Sequence, residues 1–232
     1  MKNTRIWRKI SYWKKVLCHQ EIYYRRQIKC KCDWIGSQYG GFYIARNLLN
    51  KDSIVYSFGV GEDISFDLAL IKRYGLNVFA CDPTPLAIKF VKANITHNFH
   101  FEAIGVGNKD EITKFYLSTD ERDISGSIID KKENADSIQV EMKKISTIMK
   151  KLNHTRIDLL KMDIEGSEYT VLENMLDENI FPKQLLVEFH HRFPQIGLNK
   201  TKDIVRKLNK AGYKIARISD FGLEYTFLHC IQ

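Results

Sequence analysis

The sequence predicts an α/β protein with a Rossmann-like, seven-stranded open sheet, mostly parallel, with helices on both faces and an antiparallel C-terminal hairpin strand. From Ser53 onward, short β-branched and aromatic runs alternate with helical patterns, which is typical of a parallel sheet covered by helices. The last two runs have no helix between them, which favours a hairpin. At 232 residues and 44% hydrophobic content, the chain can bury the core of one such domain.

Seven apolar runs are the predicted strands, and four helical patterns lie between them. The first and last helical patterns end at Gly75 and Gly212, which are typical C-cap positions. A turn around residues 220–222 joins the last two strands, and the Ser-, Asp- and Lys-rich stretch 120–134 predicts a loop over one end of the sheet. The strands are IVYSF (54–58), NVFAC (77–81), FHFEAI (99–104), IDLLKM (157–162), QLLVEF (184–189), YKIARI (213–218) and YTFLHC (225–230). The helices are DISFDLALIKRYG (63–75), TPLAIKFVKANIT (84–96), SEYTVLENMLDE (167–178) and KTKDIVRKLNKAG (200–212).

The positive charge of the chain is confined to its N-terminal segment. The net charge is +8, residues 1–32 hold ten Lys or Arg against Glu21 alone, and the rest holds 26 basic and 27 acidic residues. Two interpretations stay open: an interfacial anchor on anionic lipid, or a solvated basic helix whose aromatic residues pack on the main domain. We expect a basic, aromatic, helical extension over 1–52 and the main domain over 53–232. The interleaved aromatic residues are Trp7, Tyr12, Trp13, Tyr23 and Tyr24.

Composition also excludes several classes of protein. Charged residues interrupt every window of 18 residues, so a membrane-spanning helix is not expected. The five scattered cysteines lack zinc-site spacing and no secretory signal precedes them, which predicts a reducing, cytoplasmic location, with peripheral contact at the inner membrane surface as an option. A main domain without excess positive charge argues against a nucleic-acid partner. The cysteines are Cys18, Cys30, Cys32, Cys81 and Cys230.

Most chemically unusual residues directly follow predicted strands. Ligands of open α/β sheets bind at the carboxyl ends of the strands, beside the point where the strand order reverses. We therefore expect one site along this rim of the sheet. The residues are Gly59 and Gly61 after the first strand, Asp82 after the second, Gly105 after the third, 163–166 after the fourth, and Glu188, His190 and His191 at the fifth.

The loop after the first strand indicates the kind of ligand. Gly59-Val60-Gly61 is followed by Glu62 and Asp63, and Ile64 stands where a dinucleotide fingerprint requires its third glycine. The two acids would repel a pyrophosphate, whereas S-adenosylmethionine lacks phosphate and carries a sulfonium cation. Asp82, at the end of the second strand, can accept bonds from ribose hydroxyls. The alternative is that the acids only favour the helix dipole and that Asp82 is a turn residue.

Five ordered motifs resemble those of FkbM-type S-adenosylmethionine-dependent methyltransferases. They are VYSFGVGEDISFD, VFACDPTP, FEAIGVGN, IDLLKMDIEGSEYTVLENM and LLVEFHH, and the segment KMDIEGSE (161–168) is the most specific. The resemblance covers roughly 53–191 and implies a class I methyltransferase sheet with S-adenosyl-L-methionine as cofactor. One departure is Ser57, where many members have an acid; the SFG variant resembles the methyltransferase-like branch of the family.

The resemblance also implies a set of cofactor contacts. The methionine part would be surrounded by the glycine loop, and the ribose would bind Asp82. Pro83 and Thr84 would flank the adenosine, and Glu102 and Ala103, at the end of the third strand, would hold the adenine. A Gly126-Ser127 pair would close over the cofactor. The complete set is Phe58, Gly59, Val60, Gly61, Asp63, Asp82, Pro83, Thr84, Glu102, Ala103, Ser127 and Asp163.

Catalytic candidates lie after the fourth and fifth strands. Transfer of a methyl group to a hydroxyl requires a base, and a neutral imidazole near pH 7 favours His190 or His191. Asp163, Glu188 and His190 could instead hold Mg²⁺ or Mn²⁺, although we expect a mechanism without metal. An ion pair between Glu188 and Lys161 is the non-catalytic alternative. The candidates are Lys161, Asp163, Glu188, His190 and His191.

The expected function is O-methylation of a saccharide hydroxyl, on a surface glycan, a polysaccharide or a lipid-linked precursor. This substrate class rests on what FkbM-type relatives commonly modify and on the basic, aromatic N-terminus. The alternatives are another small-molecule or nucleic-acid acceptor, or a cofactor-binding module without catalysis.

Overall fold

A computed structural model describes residues 12–18, 20–94, 96–117, 126–127 and 137–230. The N-terminal part contains α1 (residues 12–17), β1 (Cys32–Ile35) and β2 (Phe42–Ala45). The first half of the main domain contains β3 (Ile54–Phe58), α2 (Ser65–Tyr74), β4 (Asn77–Cys81), α3 (Pro85–Asn94) and β5 (Phe99–Glu102). A middle part contains β6 (Gly105–Val106), β7 (Glu111–Leu117), β8 (Gly126–Ser127), β9 (Ser137–Lys143) and α4 (Ile145–Lys151). The second half contains β10 (Leu159–Met162), α5 (Glu168–Asp177), β11 (Gln184–Glu188), α6 (Gly197–Lys210), β12 (Tyr213–Ile218) and β13 (Glu224–His229).

The predicted seven-stranded sheet is confirmed. Its strand order is β12-β13-β11-β10-β3-β4-β5, with β13 antiparallel to both neighbours and the other pairs parallel. The order reverses between β3 and β10, because the chain moves from β3 towards β5 first and only later builds the other half. This reversal places a ligand site at the carboxyl ends of β3 and β10.

Helices cover both faces of the sheet because alternate strand residues point to opposite sides. Val55 of β3 packs in one core cluster with residues of α2 and α3. Tyr56, the next residue, packs in a second cluster with residues of α4, α5 and α6. The predicted C-cap of α2 is present at Gly75, whose φ is 67° and whose N–H donates to the Ile71 carbonyl at 2.8 Å.

A second, smaller sheet of β6, β9, β7 and β8 lies in the stretch between the third and fourth predicted strands. The expected loop at 120–134 lies outside the described residues except at 126–127, whose backbone pairs antiparallel with 116–117. The buried side chains Phe115, Val140 and Met142 form their own small cluster. Because β6 directly follows β5, this sheet stands at the rim where the ligand site is expected.

The N-terminal segment is part of the domain rather than a separate helical extension. Among the described residues before 53, only 12–17 are α-helical, and β1 and β2 form an antiparallel hairpin. Phe42 and Ile44 of β2 are buried in the same core cluster as β3 and β4. The expectation of a helical extension over 1–52 is therefore corrected, because residues 32–45 form a hairpin that packs on the domain. In the described part of the chain, no helix is long and apolar enough to span a bilayer.

Candidate active site

A cavity of about 380 Å³ lies at the carboxyl ends of β3, β4 and β10. This volume falls within the roughly 300–1,000 Å³ range of small-molecule sites. The predicted glycine loop, the 82–84 segment and the end of β10 all line it. The lining residues are Tyr39, Gly40, Gly59, Val60, Gly61, Glu62, Asp63, Asp82, Pro83, Thr84, Gly105, Val106, Phe115, Met142, Lys161, Asp163, Ile164, Glu165 and Ser167.

The two glycines of the loop have different roles. Gly59 has φ +73°, and a Cβ there would stand 1.6 Å from the Asp163 carbonyl oxygen, so the close approach of β3 and β10 requires glycine. Gly61 has φ +51°, but a Cβ there would have no atom within 4 Å. Gly59 therefore serves packing, while Gly61 leaves open space on the cavity side.

Asp82 holds the glycine loop in place. Its Oδ2 accepts hydrogen bonds from the N–H groups of Val60 at 2.9 Å and Gly61 at 3.0 Å. Its Oδ1 accepts from the Thr84 N–H at 2.8 Å and the Thr84 hydroxyl at 2.6 Å. Asp82 lines the cavity, which is the region where the ribose was expected, and the ribose contact itself stays a prediction. The sequence did not indicate that Asp82 also holds the glycine loop.

Asp63 links the glycine loop to the β1–β2 turn. One carboxylate oxygen accepts the Ser37 hydroxyl, and the other accepts the Ser65 N–H at 2.8 Å. Burial would raise the pKa of Asp63, but the hydrogen bonds from Ser37 and Ser65 outweigh it and hold the pKa below its ordinary value. The same turn brings Tyr39 and Gly40 to the cavity wall. The sequence reasoning missed both because it expected residues 1–52 to be helical, and the only signal was the Gly40-Gly41 pair.

Lys161 contacts the glycine loop and does not pair with Glu188. Its side chain is buried, and its Nζ donates to the Gly59 carbonyl. The alternative of a Lys161–Glu188 ion pair is not found among the described residues, because the Lys161 side chain is directed to the Gly59 carbonyl. Beneath the loop, burial raises the pKa of Asp67 to about 6, and the nearby Lys161 cation opposes that rise.

Three predicted cofactor residues lie outside the cavity lining. Phe58 is fully buried in the core, and Glu102 forms an ion pair with Lys151 at 2.7 Å. Ala103 faces a separate surface depression beside Pro85. The wall beyond Thr84 is instead formed by the second sheet, through Gly105, Val106, Phe115 and Met142. For Ser127 only the backbone is described, and it pairs with residue 116.

Beside the cavity lies an acidic cluster, which we define as Asp163, Glu165, Glu168 and Glu188 around His190. Glu168, the first residue of α5, accepts the Ile164 N–H at 2.8 Å and the His190 Nδ1–H at 2.9 Å. The other ring nitrogen, Nε2, lies 3.2 Å from Glu165 Oε2 and 3.7 Å from Asp163 Oδ1. Glu165 adopts a left-handed φ of 52°, which turns the chain sharply between β10 and α5.

The electrostatics of this cluster contradict a neutral histidine base. Burial would lower the pKa of His190, but the carboxylates of Glu168 and Glu165 outweigh it and raise the pKa to about 12. His190 is therefore a cation at neutral pH. Burial raises the pKa of Asp163 to about 6, against the opposing Lys161 and His190 cations. Burial together with the Asp163 and Glu224 charges raises the pKa of Glu188 to about 9.

His191 lies outside the cavity lining and is not a rim catalyst. Its side chain is fully buried, and its Nε2 hydrogen-bonds Glu21 of the N-terminal segment. Arg192 also pairs with Glu21, with Nη2 at 2.7 Å from Oε2. The prediction of a catalytic His191 is corrected because successive residues after the strand point in different directions, so only His190 joins the acidic cluster.

Among the described residues, the candidate metal ligands are Asp163, Glu165 and His190, each with one donor atom within 4.8 Å of the others. Glu165 thus takes the place predicted for Glu188. The donor types, two carboxylates and an imidazole, suit Mn²⁺ or another divalent cation, but the same atoms are also explained by the ion pairs of the His190 cation.

A protein-family model matches most of this chain. The model of the methyltransferase FkbM domain matches residues 50–215. The chain belongs to the FkbM methyltransferase family. This family uses S-adenosylmethionine as its cofactor.

Individual relatives agree with that assignment. Probable methyltransferase-like protein 24 of Homo sapiens is 25% identical over 189 residues, covering 80% of this chain and 46% of the relative. The Rattus norvegicus protein of the same name is 23% identical over 188 residues, with the same coverage. The chain thus spans less than half the length of these curated relatives. The structure of a fibrillarin/Nop5p complex matches with a TM-score of 0.50 and 10% identity, covering 79% of this chain and 75% of that one, which supports the fold.

The residues of the cavity fit S-adenosylmethionine. Open space on the cavity side of Gly61 lets a ligand approach the backbone, and Asp82 and Thr84 lie at the end of β4, where an adenosine is bound in this sheet type. Glu62, Asp63, Asp163 and Glu165 make one wall acidic, which suits a sulfonium cation and disfavours a phosphate.

Proposed function

We propose that this FkbM-family protein is an O-methyltransferase that acts on a saccharide hydroxyl. The observation that carries the proposal is the position of Asp163. Its side chain lines the cavity on the acidic wall and also belongs to the acidic cluster next to it. The cofactor, when bound, supplies an activated methyl group; the residues around Asp163 would receive the acceptor.

Asp163 is suited to accept the proton of an acceptor hydroxyl. A base works best when its pKa lies near the operating pH, and burial raises the Asp163 pKa to about 6. The His190 cation, 3.7 Å from Asp163 Oδ1, would stabilise the charged form of the base. His190 is in this view a positioning residue, held by Glu168, rather than the base itself.

The charge of the acidic cluster favours a hydroxyl-rich acceptor. Carboxylates accept hydrogen bonds from hydroxyls, whereas a nucleic-acid acceptor would bring its phosphates towards several negative charges. A saccharide offers many hydroxyls and no obligatory negative charge. This argument distinguishes classes of acceptor and leaves open which hydroxyl is methylated.

Two measurements test the proposal in sequence. Calorimetry with S-adenosylmethionine and S-adenosylhomocysteine should show one binding site on the full chain. Incubation with methyl-labelled cofactor should then transfer label to oligosaccharides or lipid-linked saccharides, and mass spectrometry should locate the methyl on oxygen. Cofactor binding followed by transfer to RNA, and to no saccharide, would contradict the acceptor class while leaving the enzyme class intact.

A metal-assisted version of the same reaction differs in a measurable way. If Asp163, Glu165 and His190 hold a divalent cation, the activity should fall after chelation and return with Mn²⁺ or Mg²⁺. With the ion-paired His190 described above, a chelator should leave turnover unchanged. Glu165→Gln separates the two further, because loss of a ligand would weaken the response to added metal.

A further inference from the structure

The N-terminal segment carries an exposed apolar and basic surface, the N-terminal patch, made of Trp13, Lys14, Lys15, Leu17, Tyr23, Arg25 and Arg26. We propose that the N-terminal patch docks the protein on the surface of an anionic lipid bilayer. Membrane docking is inferred from the N-terminal patch alone. The inference that the acceptor reaches the cavity from the bilayer rests on the proposed function.

The apolar part of the patch is exposed although large aromatic and aliphatic side chains usually pack inward. Leu17 is 78% exposed, and Trp13 and Tyr23 are each 46% exposed. The Trp13 and Tyr23 rings contact each other with centroids 4.8 Å apart. Trp13 and Leu17 are four residues apart on α1, so they share one side of the helix. Trp and Tyr are the residues enriched where a protein meets the lipid headgroup layer.

The first residue of α1, Tyr12, is fixed to the domain, which holds the patch in place. The Tyr12 hydroxyl donates to the Ile22 carbonyl at 2.7 Å. The Tyr12 ring also covers Gly222, where a Cβ would stand 2.4 Å from a ring carbon. Ile22 itself is buried. The exposed side chains are thus presented by an anchored segment rather than by a free tail.

The charge of the patch is of one sign. Lys14, Lys15, Arg25 and Arg26 are exposed, and none has an acidic partner within ion-pair distance among the residues that the structure describes. The only acid in residues 1–32 is Glu21, and its side chain is fully buried against His191 and Arg192. The fold therefore turns the one negative charge inward and leaves cations beside apolar side chains. That combination complements anionic headgroups over an apolar interior.

The patch lies on the same edge of the sheet as the cavity. Tyr12 covers the turn between β12 and β13, which follows the carboxyl end of β12. Glu21 binds the two residues that follow His190, at the carboxyl end of β11. The cavity opens at the carboxyl ends of β3, β4 and β10, which run parallel to β11. A docked protein would therefore receive its acceptor from the bilayer, as a lipid-linked saccharide would require.

Co-sedimentation of the full chain with vesicles tests the docking without cofactor or acceptor. We expect binding to phosphatidylcholine vesicles that contain phosphatidylserine, little binding to pure phosphatidylcholine, and weaker binding as salt increases. Each basic residue near an anionic surface contributes roughly a fivefold gain in partitioning. Lys14→Glu with Lys15→Glu should thus lower the partition coefficient by roughly 25-fold or more. Trp13→Ala with Leu17→Ala should lower binding at high salt, where the apolar part dominates.

A matched control is Lys89→Glu with Lys92→Glu, which makes the same charge change at exposed positions of α3. It should leave vesicle binding within about twofold, because the two lysines lie outside the patch. Equal loss in both pairs of variants would overturn the proposal, as would equal binding to both kinds of vesicle. Binding to RNA without binding to vesicles would also overturn it. Because no methyl transfer is measured, failure here is distinguishable from failure of the proposed enzyme activity.

Discussion

The two halves of the rim use acidic residues in opposite ways. On the glycine-loop side, Asp63 and Asp82 accept hydrogen bonds from backbone N–H groups and hydroxyls, and the Asp63 pKa lies below its ordinary value. In the acidic cluster, Asp163 and Glu188 lie near other carboxylates, and burial raises their pKa values to about 6 and about 9. Hydrogen-bond donors stabilise the ionised carboxylates of the glycine-loop side, and these carboxylates hold the loop in place. In the acidic cluster, burial and neighbouring negative charges favour the protonated form instead.

The largest loss of stability is expected for a substitution at Gly59, where the two halves of the rim meet. Gly59→Ala would place a Cβ 1.6 Å from the Asp163 carbonyl oxygen at a left-handed φ, so β3 and β10 would have to separate. We expect a loss of more than about 4 kcal/mol in the free energy of unfolding, measured by urea denaturation. Gly61→Ala is the control, since it has open space and should cost about 1–2 kcal/mol. Similar losses in both variants would refute the division of roles between the two glycines.

Removing the charge of Asp163 tests the acidic cluster. Asp163→Asn should lower kcat by roughly 10²–10⁴-fold, because the proton acceptor is lost. Cofactor affinity should change much less. The wild-type rate should rise as the pH increases through about 6, where Asp163 loses its proton. A variant with full kcat, or a rate that falls over the same pH interval, would exclude Asp163 as the base.

Asp82→Asn tests the glycine-loop side. The amide would direct a donor against a backbone N–H, so bonds now made to Val60, Gly61 or Thr84 would be lost. We expect cofactor binding to weaken by roughly 10–100-fold in calorimetry, from a loss of about 1.4–2.7 kcal/mol. Asp203→Asn removes the same charge from an exposed ion pair on α6 and should leave binding unchanged. If both variants bind the cofactor like the wild type, Asp82 does not hold the loop.

Glu188→Gln should have the opposite sign to the variants above, because it is expected to stabilise the fold. The folded protein keeps Glu188 protonated up to a pKa of about 9, from an ordinary value of 4.5, so the wild type loses stability as the pH rises between these values. Glutamine mimics the protonated form and avoids that loss. We expect the free energy of unfolding, measured by urea denaturation, to be higher than in the wild type near pH 8 and to differ little from it near pH 5.

Asp63→Asn should change stability in the direction opposite to Glu188→Gln. The pKa of Asp63 is lowered in the folded state, so its contribution is present above its ordinary pKa and is lost as the pH falls. The variant should therefore be less stable than the wild type at neutral pH, with a difference that shrinks in acid. A stabilising Asp63→Asn, or a destabilising Glu188→Gln at high pH, would reverse the comparison between the two sides.

Periodicity predicted the large sheet well and the small one poorly. Strands such as β3 and β10 are buried on both faces and read as continuous apolar runs. β9 is exposed on one face, and its apolar residues Ile138, Val140 and Met142 alternate with polar and charged ones, in a segment that was not assigned to strands. The β1–β2 hairpin was missed for a related reason, because its four-residue strands follow a strongly basic segment.

By itself, the sequence determined the strands of the main sheet, the glycine loop and the family signature at 161–168, because these depend on local pattern and chain order. Only the tertiary structure decided which groups meet. The register of β10 on β3 sends Lys161 to the Gly59 carbonyl, and the turn at Glu165 makes that residue, rather than Glu188, the third candidate metal ligand with Asp163 and His190. The packing of the N-terminal segment assigns His191 to Glu21. Such pairings join residues far apart in the chain, and their energies depend on burial that no local pattern encodes.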